Sequence, residues 1–199
     1  DFPDEDYGTS VITTTTEKYL EDHAAADNGG DRPPFALWVS FPDPHEPYEA
    51  PRRYADMFPP ESVDLPPRRY NEFDESAPER NRILHRILGL SDDSEEDIRR
   101  SISIYYAMTR FVDDGIGRIL DTLEATGLRD DTIIVFTADH GDFMGEHDMI
   151  VKGGVFYDCL VRVPLIVSWP GHVPQDVRDN SMVSTINIVP TLLKLQGIE

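Results

Sequence analysis

The chain is 199 residues long and 39% apolar, enough for one domain with a core. Eighteen Lys and Arg stand against 38 Asp and Glu, a net charge of −20, and a field of that sign excludes nucleic acid and anionic membrane surfaces as partners. No apolar run approaches a membrane span, and the single cysteine, Cys159, excludes an internal disulfide.

No stretch near Asp1 has the order of a signal peptide, so a cytoplasmic location is expected. The chain opens on Asp1 rather than Met, in a polar, acidic stretch, and a preceding segment is expected. Only three of the basic residues are lysines: Lys18, Lys152 and Lys194. Self-repulsion of an acid-rich, lysine-poor surface is screened at molar salt, where the Debye length falls to about 3 Å. The composition therefore points to a halophilic source, the alternative being an acidic mesophilic protein. A melting temperature that rises from low to molar KCl is the test.

In chain order, Ser10 to His23 is predicted as a short helix, although its threonine run is a weak helix former. Residues 27–31 (DNGGD) signal a turn. Phe35 to Phe41 (FALWVSF) reads as a buried strand bounded by prolines. Pro42 to Pro67 carries eight prolines and reads as an irregular excursion. Asn71 to Asp97 is charged and predicts a loop with a short helix at Arg82 to Leu88.

The strongest pattern runs from Ser94 to Thr126. Ile98, Ile102, Tyr105, Val112, Ile116, Ile119 and Leu123 fall mostly three and four apart, which predicts one apolar helix face. Ser94 caps its start and Gly127 ends it. Thr132 to Thr137 (TIIVFT) and Leu165 to Ser168 read as strands. A last helix is predicted over Ile188 to Gln196, capped by Asn187 and ended by Gly197. This order predicts an α/β fold: a mainly parallel sheet flanked by helices. Ligands bind such sheets beyond the carboxyl ends of strands. The loops FPDPHEPY and ADHGD should then open on one rim.

On that rim, Asp139 and His140 follow a strand end and precede Gly141. A carboxylate and an imidazole there suit a divalent metal, with Asp142, Glu146, His147 and Asp148 as candidate extra ligands. A bare D-H-G is more often an Asx turn with solvated acids. Lys152, before Gly153-Gly154, has the reach to meet a sulfate or phosphate oxygen; alone it reads as an exposed loop lysine. His45, between prolines, can bind an anionic oxygen or protonate a leaving alkoxide; alone it reads as a turn histidine. His23, His85 and His172 read as surface residues. Asp113 and Asp114 project about 100° apart on a helix and do not converge. Cys159 lacks an activating base nearby and reads as a packing residue.

Taken together, FALWVSFPDPHEPY, YYAMTRFVDDGIGRILDTLEATGLRDDTIIVFTADHGDFMGEHDMIVKGGVFYD, VRVPLIVSWPG and INIVPTLLKLQGI resemble, in order and spacing, the sulfatase family of the alkaline phosphatase superfamily. The resemblance runs from Pro33 onward and is weak across Tyr70 to Asp93. It implies an alkaline-phosphatase-like fold, with residues 1–199 the C-terminal part of the catalytic domain and the N-terminal strands missing. It implies metal ligands at Asp139 and His140, and sulfate contacts at His45 and Lys152. The metal implied is calcium, with manganese or magnesium as alternatives. The substrate implied is a small sulfate ester. The nucleophile implied is a formylglycine made from a C/S-x-P-x-R motif. Cys159 stands in Asp158-Cys159-Leu160-Val161-Arg162, which lacks the proline, so that motif and the paired aspartates of the opening strand are expected upstream of Asp1. The chain alone is then expected to be inactive, with the missing N-terminal fragment or a homodimer as partner. The alternatives are a phosphonate monoester or phosphodiester hydrolase of the same superfamily, and a non-catalytic remnant that binds a metal or a partner.

Overall fold

The computed structural model describes residues 2–26, 32–67, 72–90 and 95–198. Six helices and two strands appear among them: α1 (Gly8–Ala25), α2 (Arg52–Ala55), α3 (Glu79–Leu88), α4 (Glu95–Ala125), β1 (Ile134–Thr137), α5 (Asp158–Val161), β2 (Leu165–Ser168) and α6 (Ile188–Leu195). The turn predicted at residues 27–31 and the predicted cap Ser94 lie outside the described residues.

The threonines that argue against α1 are what seat it. Thr9, Thr13, Thr16 and Leu20, three and four apart, form its buried face. Thr13 and Thr16 donate their hydroxyls to the carbonyls of Thr9 and Ile12, at 2.7 and 2.8 Å. Thr9 donates to Asp43 Oδ2. No hydroxyl in this set is buried unpaired, so the usual desolvation cost is avoided. The face packs on α4 at Gly115, where a Cβ would come within 2.6 Å of Thr13 Oγ1.

α4 is the long helix predicted. Its buried face runs from Ile98 and Ile102 through Ala107, Met108, Phe111 and Gly115 to Leu123, a wider set than the apolar spacing alone picks out. The extra width follows from packing, because α1 and α2 both lie against it. Tyr54, Ala107 and Phe111 form one core cluster, and Leu20, Leu123 and Leu128 another. Gly127, at φ +70°, closes the helix, with Leu128 N–H donating to Leu123 O at 2.9 Å; positive φ is what glycine supplies at that position.

The expectation of a mainly parallel sheet is corrected. β1 and β2 pair antiparallel, with Ile134 opposite Ser168 and Thr137 opposite Leu165. Both apolar runs are strands as predicted, but a run fixes that a segment is extended, not the direction of its partner. The connection between them returns through a loop and the single turn of α5, without the longer crossover helix that parallel pairing favours. The predicted buried strand Phe35 to Phe41 is also corrected. It forms no strand, and Trp38 is 88% exposed. Its three aromatic residues and Val39 favour extension, yet a strand needs a neighbouring ladder, and none lies beside it among the described residues.

Pro42 to Pro67 is the irregular excursion expected, with the short α2 and one 3-10 turn at Pro60–Ser62. The final helix starts at Ile188 as predicted, with a 3-10 turn ahead of it. Ser184 N–H donates to Asn187 Oδ1 at 2.9 Å, so a 3-10 turn over Thr185–Asn187 leads into α6, and Asn187 is already helical.

Candidate active site

Three loops build the rim. Residues 42–48 follow the extended 35–41 segment, residues 138–142 follow β1, and Lys152 ends a long loop ahead of α5. That third loop is anchored in the core. Phe143 and Met149 are fully buried and cluster with Leu160 and with Leu84 and Leu88 of α3. Its backbone is held in an uncommon path, with Met144, His147, Asp148 and Val151 all at positive φ. Val151, at φ +65°, is a β-branched residue in the left-handed region immediately before Lys152. Such conformations persist where surrounding packing over-determines them.

Gly141 joins the second loop to α5. Its N–H donates to Leu160 O at 2.8 Å, and a Cβ there would lie 1.9 Å from Cys159 O. Only glycine allows this approach, which fixes where Asp139 and His140 stand.

Lys152 and His45 do come together, through a residue the sequence did not single out. Lys152 Nζ donates to Glu46 Oε2 at 2.8 Å, and the same oxygen lies 3.4 Å from His45 Nδ1. Lys152 is mostly buried, its side chain 22% exposed. Hydrogen bonding from Lys152 holds the Glu46 carboxyl below its ordinary pKa. His45 Nδ1 also faces Glu46 O at 2.7 Å. A carbonyl only accepts, so Nδ1 carries the proton and Nε2 is the atom left for a ligand.

The first and second loops are tied by Tyr48, whose hydroxyl donates to Asp142 Oδ2 at 3.3 Å. Burial, foremost, raises the pKa of Asp142, and that of Tyr48 as well. Asp142 also accepts from Met144 N–H at 3.0 Å. It is therefore a structural acid of the rim rather than the extra metal ligand considered from sequence. His147 is corrected in the same way. It is buried, with Nδ1 2.7 Å from Glu72 Oε1 and its ring 4.2 Å from that of Tyr157. No group of three or more potential ligands gathers among the described residues.

Asp139 and His140 remain as a pair. His140 Nδ1 faces Gly141 O at 2.8 Å, which leaves the Nε2 lone pair outward. Nε2 lies 3.7 Å from Asp139 Oδ2, and Asp139 is 88% exposed. Asp139 Oδ1 also accepts the His140 N–H at 2.8 Å, so the Asx turn expected of a bare D-H-G is present too. One oxygen and one nitrogen donor open on the same side. Their chemistry fits a divalent metal, to which they would offer two donors.

The remaining candidates are settled by their surroundings. Cys159 packs against the Phe143 cluster, and burial pushes its thiol up to about 11. Asp113 is exposed, whereas Asp114 pairs with Arg110 at 2.8 Å. The three histidines read as surface residues each stack on an aromatic ring: His23 on Tyr19, His85 on Phe73 and His172 on Trp169. The expectation that a C/S-x-P-x-R motif occurs only upstream of Asp1 needs correction as well. Ser76-Ala77-Pro78-Glu79-Arg80 matches the pattern. It shapes the start of α3: Ser76 gives both its hydroxyl and its N–H to Asp74 Oδ1, at 2.6 and 2.8 Å, and Arg80 donates to Gly154 O.

Lys152 and His45 thus meet at Glu46, and Asp139 and His140 stand as a pair just after β1. The sulfatase family profile matches residues 3–198, and the chain belongs to the sulfatase family. It is 36% identical over 205 residues to a choline-sulfatase of Rhizobium meliloti, covering 97% of this chain and 37% of that protein. It is 33% identical over 196 residues to an ulvan-active sulfatase of Formosa agariphila, covering 97% and 33%. Among solved structures it resembles a phosphonate monoester hydrolase from Silicibacter pomeroyi, at a TM-score of 0.84 and 29% identity, covering 100% of this chain and 39% of the other. That of Agrobacterium radiobacter gives 0.79 and 29%, covering 100% and 40%. The chain thus spans between a third and two fifths of the length of these relatives. No helix among the described residues is long and apolar enough to cross a membrane.

Proposed function

We propose that these residues form the leaving-group side of a metal-dependent sulfuric ester hydrolase. The convergence of Lys152 and His45 on one carboxylate oxygen carries the assignment, because two cation-capable groups so placed would grip an anionic ester. Lys152 holds an ester oxygen by its ammonium. His45, through Nε2, either binds an oxygen or gives a proton to the departing alkoxide. Asp139 and His140 hold the metal, calcium first and manganese or magnesium as alternatives. A bound metal supplies positive charge against the charge that develops on the ester oxygens. No attacking group is assigned within the 199 residues, and the chain alone is expected to turn over no aryl sulfate.

Calorimetric titration of calcium into a polypeptide that joins these residues to the segment expected to carry the remaining ligands tests the metal assignment. Binding is expected, and Asp139→Ala should abolish it; binding that survives the substitution overturns it.

A second reading, a phosphonate monoester hydrolase, is favoured by the likeness to the Silicibacter pomeroyi enzyme. Turnover of an aryl sulfate against a phosphonate monoester separates the two, assayed in a polypeptide that joins these residues to a formylglycine-bearing segment. Lys152→Ala and His45→Ala should each lower the rate in that assay, by about 100-fold.

A further inference from the structure

Glu46 places a carboxylate where an anion is expected. Its Oε2 contacts Lys152 Nζ at 2.8 Å and lies 3.4 Å from His45 Nδ1. The two groups offered to an ester therefore share one counter-charge, carried on the same loop as His45. Asp142 is the next acid inward, and its environment differs. Burial disfavours its charged form, whereas Lys152 favours the charged form of Glu46. Glu46 is thus the standing negative charge beside the anion-binding groups.

We propose that Glu46 is a specificity-determining residue that makes the site favour singly charged anions, the class of a sulfate monoester, over doubly charged ones, the class of a phosphate monoester. The inference rests on the assignment of Lys152 and His45 to anion binding. Coulomb energy is linear in each charge, so a fixed carboxylate repels a dianion twice as strongly as a monoanion. With the Lys152 charge offset by Glu46, the second charge of a dianion gains little attraction. Glu46→Gln keeps the length and an oxygen to accept from Lys152, and removes only the charge.

Methyl sulfate (one charge) and inorganic sulfate (two) are the probes, titrated into the full chain at constant ionic strength. Glu46→Gln is expected to tighten methyl sulfate about fivefold and sulfate about 25-fold, the factor for one unit charge near 4 Å in largely aqueous surroundings and its square. Glu46→Ala should change the ratio in the same direction, and Glu46→Asp, which retains the charge, should leave it within about twofold of the parent. Lys152→Ala should weaken both anions. If it leaves both unchanged, the anion-site assignment is overturned. If it weakens both while Glu46→Gln and Glu46→Ala leave the sulfate to methyl sulfate ratio at the parent value, the specificity inference alone is overturned.

Discussion

The α1–α4 helix pair and the β1–β2 ribbon both carry apolar side chains, and these end up in different surroundings. Leu20 and Met108 in the pair are 1% exposed, whereas Ile166 in the ribbon is 58% exposed. Helix faces three and four residues apart find each other within the described chain. Strand faces need a second layer: Ile134 and Phe35 reach the helix core, while Phe136, Ile166 and Trp38 stay exposed. Helical packing here is a local property of the sequence, whereas burial of strands depends on which neighbours are present.

Gly141→Ala would give the sharpest break in that contrast. It sits at the one point where the exit from β1 is packed as tightly as the helix pair. A Cβ pressed against the Cys159 carbonyl must move backbone, at a cost of about 4 kcal/mol. Thermal unfolding should show it, and a loss below about 1 kcal/mol would mean that this loop is as loose as the ribbon it leaves. Leu20→Ala is the reference for the helix pair, expected to cost about 3 kcal/mol, against less than about 1 kcal/mol for Ile166→Ala. Equal costs, read from denaturant melts of both variants, would erase the contrast.

Acidity separates the rim from the exposed surface more gently. The pKa of Asp142 is raised by burial, so the folded state keeps that proton longer than the unfolded chain. Its contribution to stability is therefore lost as pH rises from the ordinary carboxylate value, 3.8, through the raised one. Glu46 has the opposite sign. Its pKa is depressed by Lys152, so its contribution is present above the ordinary value and lost as pH falls through the depressed one. Asp142→Asn should remove the first slope and leave the second, in melts recorded across the acid range. The smallest effect is expected at Cys159. A thiol pushed up to about 11 should react with iodoacetamide roughly 100-fold more slowly than a free cysteine near neutral pH, with stability untouched.

Much of the helical architecture was legible in the sequence, because its signals are local. The spacing of Ile98, Ile102 and Leu123 and the glycine at 127 mark α4 to within a residue or so at each end. The strand runs at 134–137 and 165–168 were legible as extended segments, but their antiparallel pairing was not, since direction is set by the path of the chain between them. In the site, His45 and Lys152 were legible as a pair only through the family resemblance, because the strand expected ahead of His45 does not form. Glu46 was hidden because a glutamate in so acidic a chain carries no signal until a partner 106 residues away meets it. His147 misled in the other direction. It stands among acids in sequence, yet its ring turns inward to Glu72, a residue that no local pattern connects to it. The family resemblance supplied what spacing could not, namely which bare motifs belong together.

The exposed indole of Trp38 gives the protein a built-in optical gauge. The chain has two tryptophans, and the other, Trp169, is half-buried and stacked 3.7 Å from the ring of His172. The emission of Trp38 should lie at the red, water-exposed end of the range and be open to acrylamide. Anything that settles on residues 35–41 would shift that emission to the blue and shield it from the quencher. Docking at this edge can thus be followed in the unlabelled protein, by light alone.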